Sequence, residues 1–262
     1  MVERGGSVET EVRDGLAVVR LARDRGNAID DDVIDGLMDA LQRAEDDPAV
    51  EGILLGARGK LFSPGLDLQA LVGLDRPEMA RFMRRFAACI LQAYTFPKPM
   101  VAALAGHALA GGMVLALTAD WRVLRDDAMV GLNELKVGVP LPFGVTLIVR
   151  EAVAGPRREE VALFGRNYRG PEAVEVGLVQ EVHGSDGLEG LAVERLREMT
   201  SKDLRSFAVT KRYLRSRTVE RIRAYDAQFG DDFLDCWFSA GTRARIEGIV
   251  ADLRARSAGS GS

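Results

Sequence analysis

Pro99-Met100-Val101-Ala102-Ala103-Leu104-Ala105-Gly106-His107-Ala108-Leu109-Ala110-Gly111-Gly112-Met113 runs on without a charge as far as Ala119, and its reading decides the fold. The uncharged stretch is just long enough to cross a bilayer. It opens with a proline, however, holds three glycines and carries a histidine in its middle. A strand over Met100–Leu104 that turns through the glycines into a short helix explains that composition. The segment is therefore buried core, and no membrane partner is expected.

Upstream, Val8 to Val12 and Leu16 to Leu21 flank Asp14-Gly15, a strong hairpin signal. Asn27-Ala28-Ile29-Asp30 leads into a helix over 31–44, where Val33, Leu37, Leu41 and Ala44 recur at helical spacing behind an acidic first turn. Gly52 to Leu55 is a short buried strand, followed by a loop punctuated by Gly56, Gly59 and Gly65. Pro77 to Tyr94 is amphipathic, with Phe82, Phe86, Cys89, Ile90 and Ala93 on one side. Downstream, strands are expected over 121–124, 128–131 and 179–182, with helices over 146–154, 157–164 and 171–176. From Leu188 onward the pattern is helical, over 191–200, 203–214, 219–238 and 242–256. No fixed-period repeat is present. Short strands interleaved with helices, then a run of helices, indicate an α/β core over 1–200 and a helical C-terminal region over 201–256. Residues 257–262 form a flexible polar tail.

With 262 residues, 47% hydrophobic and 28% charged, the chain has the composition of an ordinary globular protein, which excludes a disordered or fibrous one. A net charge of −4 argues against nucleic acid as the main partner. Cys89 and Cys236 cannot build a disulfide framework and fit a reducing compartment. His107 and His183, with no CxxC and no HExxH, give no basis for a metal site. The first six residues contain no apolar run, so no secretory signal and a cytoplasmic location are expected. Chemistry is left to carboxylates, hydroxyls and the backbone.

Three segments carry that chemistry. Gly59-Lys60-Leu61-Phe62-Ser63-Pro64-Gly65-Leu66-Asp67-Leu68 and Ala105 to Met113 each place small residues just before a helical pattern. Unpaired N–H groups collect at such helix starts, and two of them aimed at one point would form an oxyanion hole. Glycines before helices also serve simply as tight turns. In Gly131-Leu132-Asn133-Glu134-Leu135-Lys136-Val137-Gly138-Val139-Pro140, Glu134 stands in an otherwise apolar stretch. Desolvation would raise its pKa and make it a better base near neutrality. A surface glutamate paired with Lys136 is the alternative.

The two glycine turns in this order, followed by the Asn-Glu segment, resemble the crotonase (enoyl-CoA hydratase/isomerase) superfamily over nearly the whole chain. That resemblance implies a spiral of ββα turns forming two roughly perpendicular sheets, with C-terminal helices supporting a homotrimer or a dimer of trimers. It implies an acyl-CoA thioester substrate, with CoA as part of the substrate and no separate cofactor. The thioester oxygen would be held by the N–H groups of Leu66 and Gly111. Ser63, Pro64, Gly65, Leu66 and Asp67 would line the CoA, Lys60 would approach its phosphates, and Asn133 would adjoin Glu134.

Family hydratases carry two glutamates, and the first of those positions falls here on Val114. The segments Phe62–Leu68, Ala110–Asp120 and Gly131–Glu134 are similar to mitochondrial-type Δ3,Δ2-enoyl-CoA isomerases, in which one glutamate after an asparagine does the chemistry. The resemblance thus implies that Glu134 shuttles a proton of a 3-enoyl-CoA. Hydration, thioester hydrolysis and a non-catalytic CoA-binding scaffold are the alternatives.

Other residues have plainer expectations. His107 is a core histidine, Asp67 caps a helix or touches ligand, and Asp120-Trp121-Arg122 supplies a structural ion pair. Residues 202–223 hold eight Lys and Arg against Asp203 and Glu220. That excess reads first as a solvated helix face and second as a contact for CoA phosphates. RNA comes last, because aromatic residues are sparse there. Phe229, Phe233, Trp237 and Phe238 are core, or cap the acyl pocket or a subunit contact.

Overall fold

The structure, a computed structural model, describes residues 2–3, 6–24, 26–153 and 155–259. It opens with β1 (Val2–Glu3), β2 (Val8–Arg13) and β3 (Leu16–Leu21). Asp14 and Gly15 both have positive φ (47° and 76°), and Arg13 pairs with Leu16 across them. That backbone matches the right-handed twist of the strands it joins. The next element, α1 (Asp31–Asp46), starts where the Asp30 side chain accepts the Val33 N–H, and it buries Val33, Ile34, Leu37, Ala40, Leu41 and Ala44.

Three ββα turns follow. The first is β4 (Gly52–Ala57), β5 (Leu61–Ser63), then α2 (Leu68–Leu71) and α3 (Arg76–Thr95). The second is β6 (Met100–Leu104), β7 (His107–Leu109) and α4 (Gly111–Ala116). The third is β8 (Trp121–Arg125), β9 (Met129–Gly131) and α5 (Glu134–Val137). Beyond them lie α6 (Phe143–Ala152), α7 (Arg157–Leu163), β10 (Tyr168–Arg169), α8 (Gly170–Glu175) and β11 (Glu181–His183). The C-terminal helices are α9 (Leu188–Thr200), α10 (Leu204–Tyr225), α11 (Gly230–Trp237) and α12 (Ala240–Gly259).

In each turn the first strand enters a seven-stranded sheet, ordered β1-β2-β3-β4-β6-β8-β11, and the second enters a four-stranded sheet, ordered β10-β9-β7-β5. The expected α/β spiral with two sheets and a helical C-terminal region is present. Its repeat has no fixed sequence period because the helical leg varies from 4 residues in α5 to 20 in α3.

Strand β6 is buried on both faces. Val101 and Ala103 pack with Leu188, Ala192 and Leu196 of α9, while Met100, Ala102 and Leu104 point into the main core. This is why the stretch from Pro99 looks uniformly apolar. No helix among the described residues is long and apolar enough to cross a membrane.

The C-terminal helices depart from expectation. Residues 203–214 and 219–225 belong to one helix, α10, and the chain breaks before Gly230. The polar run Arg215-Ser216-Arg217-Thr218 hides an inward face, since Arg215 and Lys211 both reach Asp120, at 2.8 and 2.7 Å. Asp120 also accepts the Met100 N–H, so it joins α10 to the spiral. Burial pulls Lys211 down to about 8, opposed by Asp120. The basic run is therefore not only a solvated face. Nor does Asp120 pair with Arg122, whose buried guanidinium donates to the Ala119 and Leu178 carbonyls. The break after Tyr225 leaves the Asp226 carboxylate to accept the Gly144 N–H at the start of α6. The expected tail is partly helical, because α12 extends to Gly259; residues 260–262 lie outside the described residues.

Candidate active site

Strands β5 and β7 run parallel, and the turns that follow them touch. Gly65 has φ 102°, and a Cβ there would lie 2.9 Å from Ala110 Cβ and 3.0 Å from the Gly111 nitrogen. A Cβ on Gly112 would lie 2.4 Å from the Ser63 carbonyl oxygen. Both glycines therefore serve close backbone approach as well as turning. Between the turns Ala110 sits at φ 47°, ψ −128°, a conformation that strains any residue with a Cβ. It is held by its own N–H to the Gly131 carbonyl and by the Val114 N–H to its carbonyl, both 2.9 Å.

This geometry exposes two donors. Ile29 bridges Leu66, since the Ile29 N–H donates to Gly65 O and the Asp67 N–H to Ile29 O, each at 2.8 Å. The Leu66 N–H must then face the opposite side. Gly111 is the first residue of α4, ahead of the first intrahelical bond. Among the described residues neither N–H has an acceptor.

The carboxylate comes from the third turn. Asn133 N-caps α5, and Glu134 is its first residue. The helix ends at Gly138, with φ 104°, and the Gly138 carbonyl accepts the Thr242 hydroxyl of α12 at 3.0 Å. Asn133 Nδ2 donates to Asn167 Oδ1 at 3.3 Å. Glu134 is half-buried as a residue, but its Oε2 is closed to solvent and has no hydrogen-bond partner among the described residues. It forms no ion pair with Lys136. Burial raises its pKa to about 7, opposed only by its own backbone N–H.

Glu134 and both donor residues line one cavity of about 100 Å³. Pro64, Leu66 and Leu68 form one wall, and Ala110, Gly111 and Val114 the next. Asn133, Val137, Val139 and Pro142 line the cavity from the third turn and the segment that follows, Met83 and Phe86 from α3, and Phe233 and Trp237 from α11. Val114 is 1% exposed and offers no proton donor or acceptor.

Of the residues expected at the site, Pro64, Leu66, Gly111, Asn133 and Glu134 reach the cavity, whereas Lys60, Ser63, Gly65 and Asp67 lie outside its lining. Lys60 is exposed on the loop before β5. The buried Ser63 hydroxyl accepts the Gly65 N–H at 3.2 Å. Asp67 caps α2 through the N–H groups of Gln69 and Ala70 and pairs with Arg23 at 2.7 Å. Both side chains hold the turn. His107 is structural as expected, its Nδ1 accepting the Met129 N–H at 3.0 Å. The aromatic cluster divides: Phe233 and Trp237 join the cavity, while Phe229 packs on Phe143 at 4.7 Å. Asn167 and Thr242 were not anticipated. Neither stands in a distinctive pattern, and each matters only through what it touches.

Fold and site together define the crotonase class. A family model described as enoyl-CoA hydratase/isomerase matches residues 11–236, and the chain belongs to that family. It is 28% identical over 218 residues to mouse "Enoyl-CoA delta isomerase 1, mitochondrial", covering 82% of this chain and 75% of that protein. It is 35% identical over 162 residues to a "Putative enoyl-CoA hydratase" of Thermus thermophilus, covering 61% of this chain and 64% of that one. The solved structure of human mitochondrial delta3-delta2-enoyl-CoA isomerase shares its fold, with TM-score 0.91, 23% identity and coverage of 95% of this chain and 99% of that one. Relatives carry both reaction names, so the reaction must be argued from the residues.

Proposed function

We propose that this protein isomerises a 3-enoyl-CoA to the trans-2-enoyl-CoA with Glu134 as its only acid–base group. The observation that carries the proposal is a single carboxylate, with its Oε2 buried and unpartnered among the described residues, sharing its cavity with Val114 where a hydratase would place a second acid. Glu134 takes a proton from C2, and the electron pair of that C–H bond spreads over the thioester and the C3–C4 double bond as a dienolate. The N–H groups of Leu66 and Gly111 hold the dienolate oxygen, contributing roughly 3–4 kcal/mol per donor. Glu134 then returns the proton to C4, which leaves the double bond between C2 and C3. Hydration would need a water deprotonated on one side while C2 is protonated on the other, and valine can do neither. Asn167, through Asn133, and Thr242, through Gly138, position Glu134. Pro64 and Gly65 border the CoA, Lys60 meets its phosphates, and Ser63 and Asp67 act through the turn they hold. The resemblance extends the proposal to a homotrimer or dimer of trimers, which sedimentation velocity tests.

Separate incubations with a 3-enoyl-CoA and a 2-enoyl-CoA test the reaction. A conjugated thioester forms from the first under this proposal. A 3-hydroxyacyl product from the second, or free CoA from either, would overturn it.

The pH profile follows from the pKa of Glu134. The base works ionised, so kcat/KM should rise tenfold per pH unit below about 7 and level off above it. A profile flat from pH 5 to 8 would mean that Glu134 is not the group titrating.

A further inference from the structure

We infer that the site accepts short acyl chains, about four to six carbons long, and that Met83 sets the limit; this rests on the acyl-CoA reading of the cavity. An apolar cavity of about 150 Å³ holds the six carbons of benzene, so one of about 100 Å³ holds about four. Those carbons must include the ones beside Glu134, which leaves little room for a tail. The wall from α11 is solid: Phe233 and Trp237 line the cavity and stack at 6.0 Å, and Trp237 is 1% exposed.

A second, smaller cavity of about 20 Å³ lies beyond the same wall, between α3, α6 and α10. It is lined by Ile90, Leu91, Val145, Ile148 and Ile222 and, at one side, by Asp226, whose carboxylate accepts the Gly144 N–H; it has room for about one water. Met83, Phe86 and Pro142 line both spaces and so form the partition. Phe86 is a bulky ring packed in the core at 4% exposure. Pro142 has no rotatable side chain. Met83 is half-buried and unbranched, a linear side chain that fills the gap, so it is the member of the partition whose length sets whether the route between α3 and α6 is open. A longer acyl tail has that route to take only if Met83 is shortened.

Saturated acyl-CoAs test this without any reaction. Each methylene that finds apolar space tightens binding about fourfold. Calorimetric titration with butanoyl-, hexanoyl-, octanoyl- and decanoyl-CoA should show that gain as far as hexanoyl-CoA and none beyond. A fourfold gain per methylene continuing to decanoyl-CoA would overturn the inference. Met83→Ala should move the break to octanoyl-CoA or longer, and Met83→Phe should move it back toward butanoyl-CoA. If Met83→Ala does not fold, as its melting curve would reveal, Met83→Phe decides alone. A break that neither variant moves removes Met83 from its role. Chain-length discrimination without isomerisation of any 3-enoyl-CoA would overturn the proposed reaction and uphold this inference; no binding of any acyl-CoA would overturn both.

Discussion

Glu134→Gln should lose isomerase activity by about a thousandfold to ten-thousandfold, the full contribution of a positioned general base when no second group can replace it. The amide neither accepts the C2 proton nor delivers one to C4. The same variant should be the more stable protein at alkaline pH. Burial lets Glu134 hold its proton in the folded state up to about 7, against 4.5 for the free side chain. The native state thus binds more protons than the unfolded state between those values, and stability falls as pH rises through that window. The full shift corresponds to on the order of 3 kcal/mol. The buried amide of Gln keeps part of the desolvation cost, so a gain of about 1–2 kcal/mol is expected at pH 8, shrinking toward pH 4.5. Denaturant melts of both proteins at two pH values, beside initial rates, measure this. Wild-type rates in Glu134→Gln would end its role as the base, and equal stability at pH 8 would mean that the carboxylate is hydrated.

Gly112→Ala should lower kcat by about a hundredfold while weakening binding of saturated acyl-CoA much less. The new Cβ would stand 2.4 Å from the Ser63 carbonyl oxygen and 2.6 Å from Ser63 Cβ. Backbone cannot yield as a flexible side chain does, so α4 must move away from β5. The Gly111 N–H, the second of the two proposed oxyanion donors, moves with it, and losing one such donor costs roughly 10²–10³ in rate. Crowding should also destabilise the fold by about 1–3 kcal/mol. Gly73→Ala, where nothing lies within 4 Å of the added Cβ, is the control and should match wild type. Equal losses of acyl-CoA binding and of kcat in Gly112→Ala would show that the turn builds the binding site rather than the oxyanion donors.

Much of the fold is legible along the chain because its causes are local. The Asp14-Gly15 turn, the helical spacing from Val33 to Ala44 and the glycine-to-helix turns all depend on neighbours within a few residues. The candidate site is legible locally as two glycine turns and Glu134, while Leu66 and Gly111 are singled out as donors by the family resemblance. Where expectation failed, the cause was distant. Residues 215–218 look like a polar interruption until Asp120 appears opposite Arg215, and Ser63 and Asp67 look available until their partners Gly65 and Arg23 are in place.

Residue types and local spacing alone determined that this chain has an α/β core with a helical C-terminal region and that Glu134 stands in an apolar stretch; the family resemblance added the spiral, the two proposed backbone donors and the reading of Val114 as the position of a second acid. Tertiary structure alone decided the state of that glutamate. Burial raises its pKa, and the cavity it lines is completed by side chains such as Phe86, Phe233 and Trp237 on helices remote in sequence. The short helix that carries it is tied to Thr242 of α12 through the Gly138 carbonyl and to Asn167 through Asn133. A sequence records which group can ionise; how much water surrounds it is fixed only when separate elements pack together.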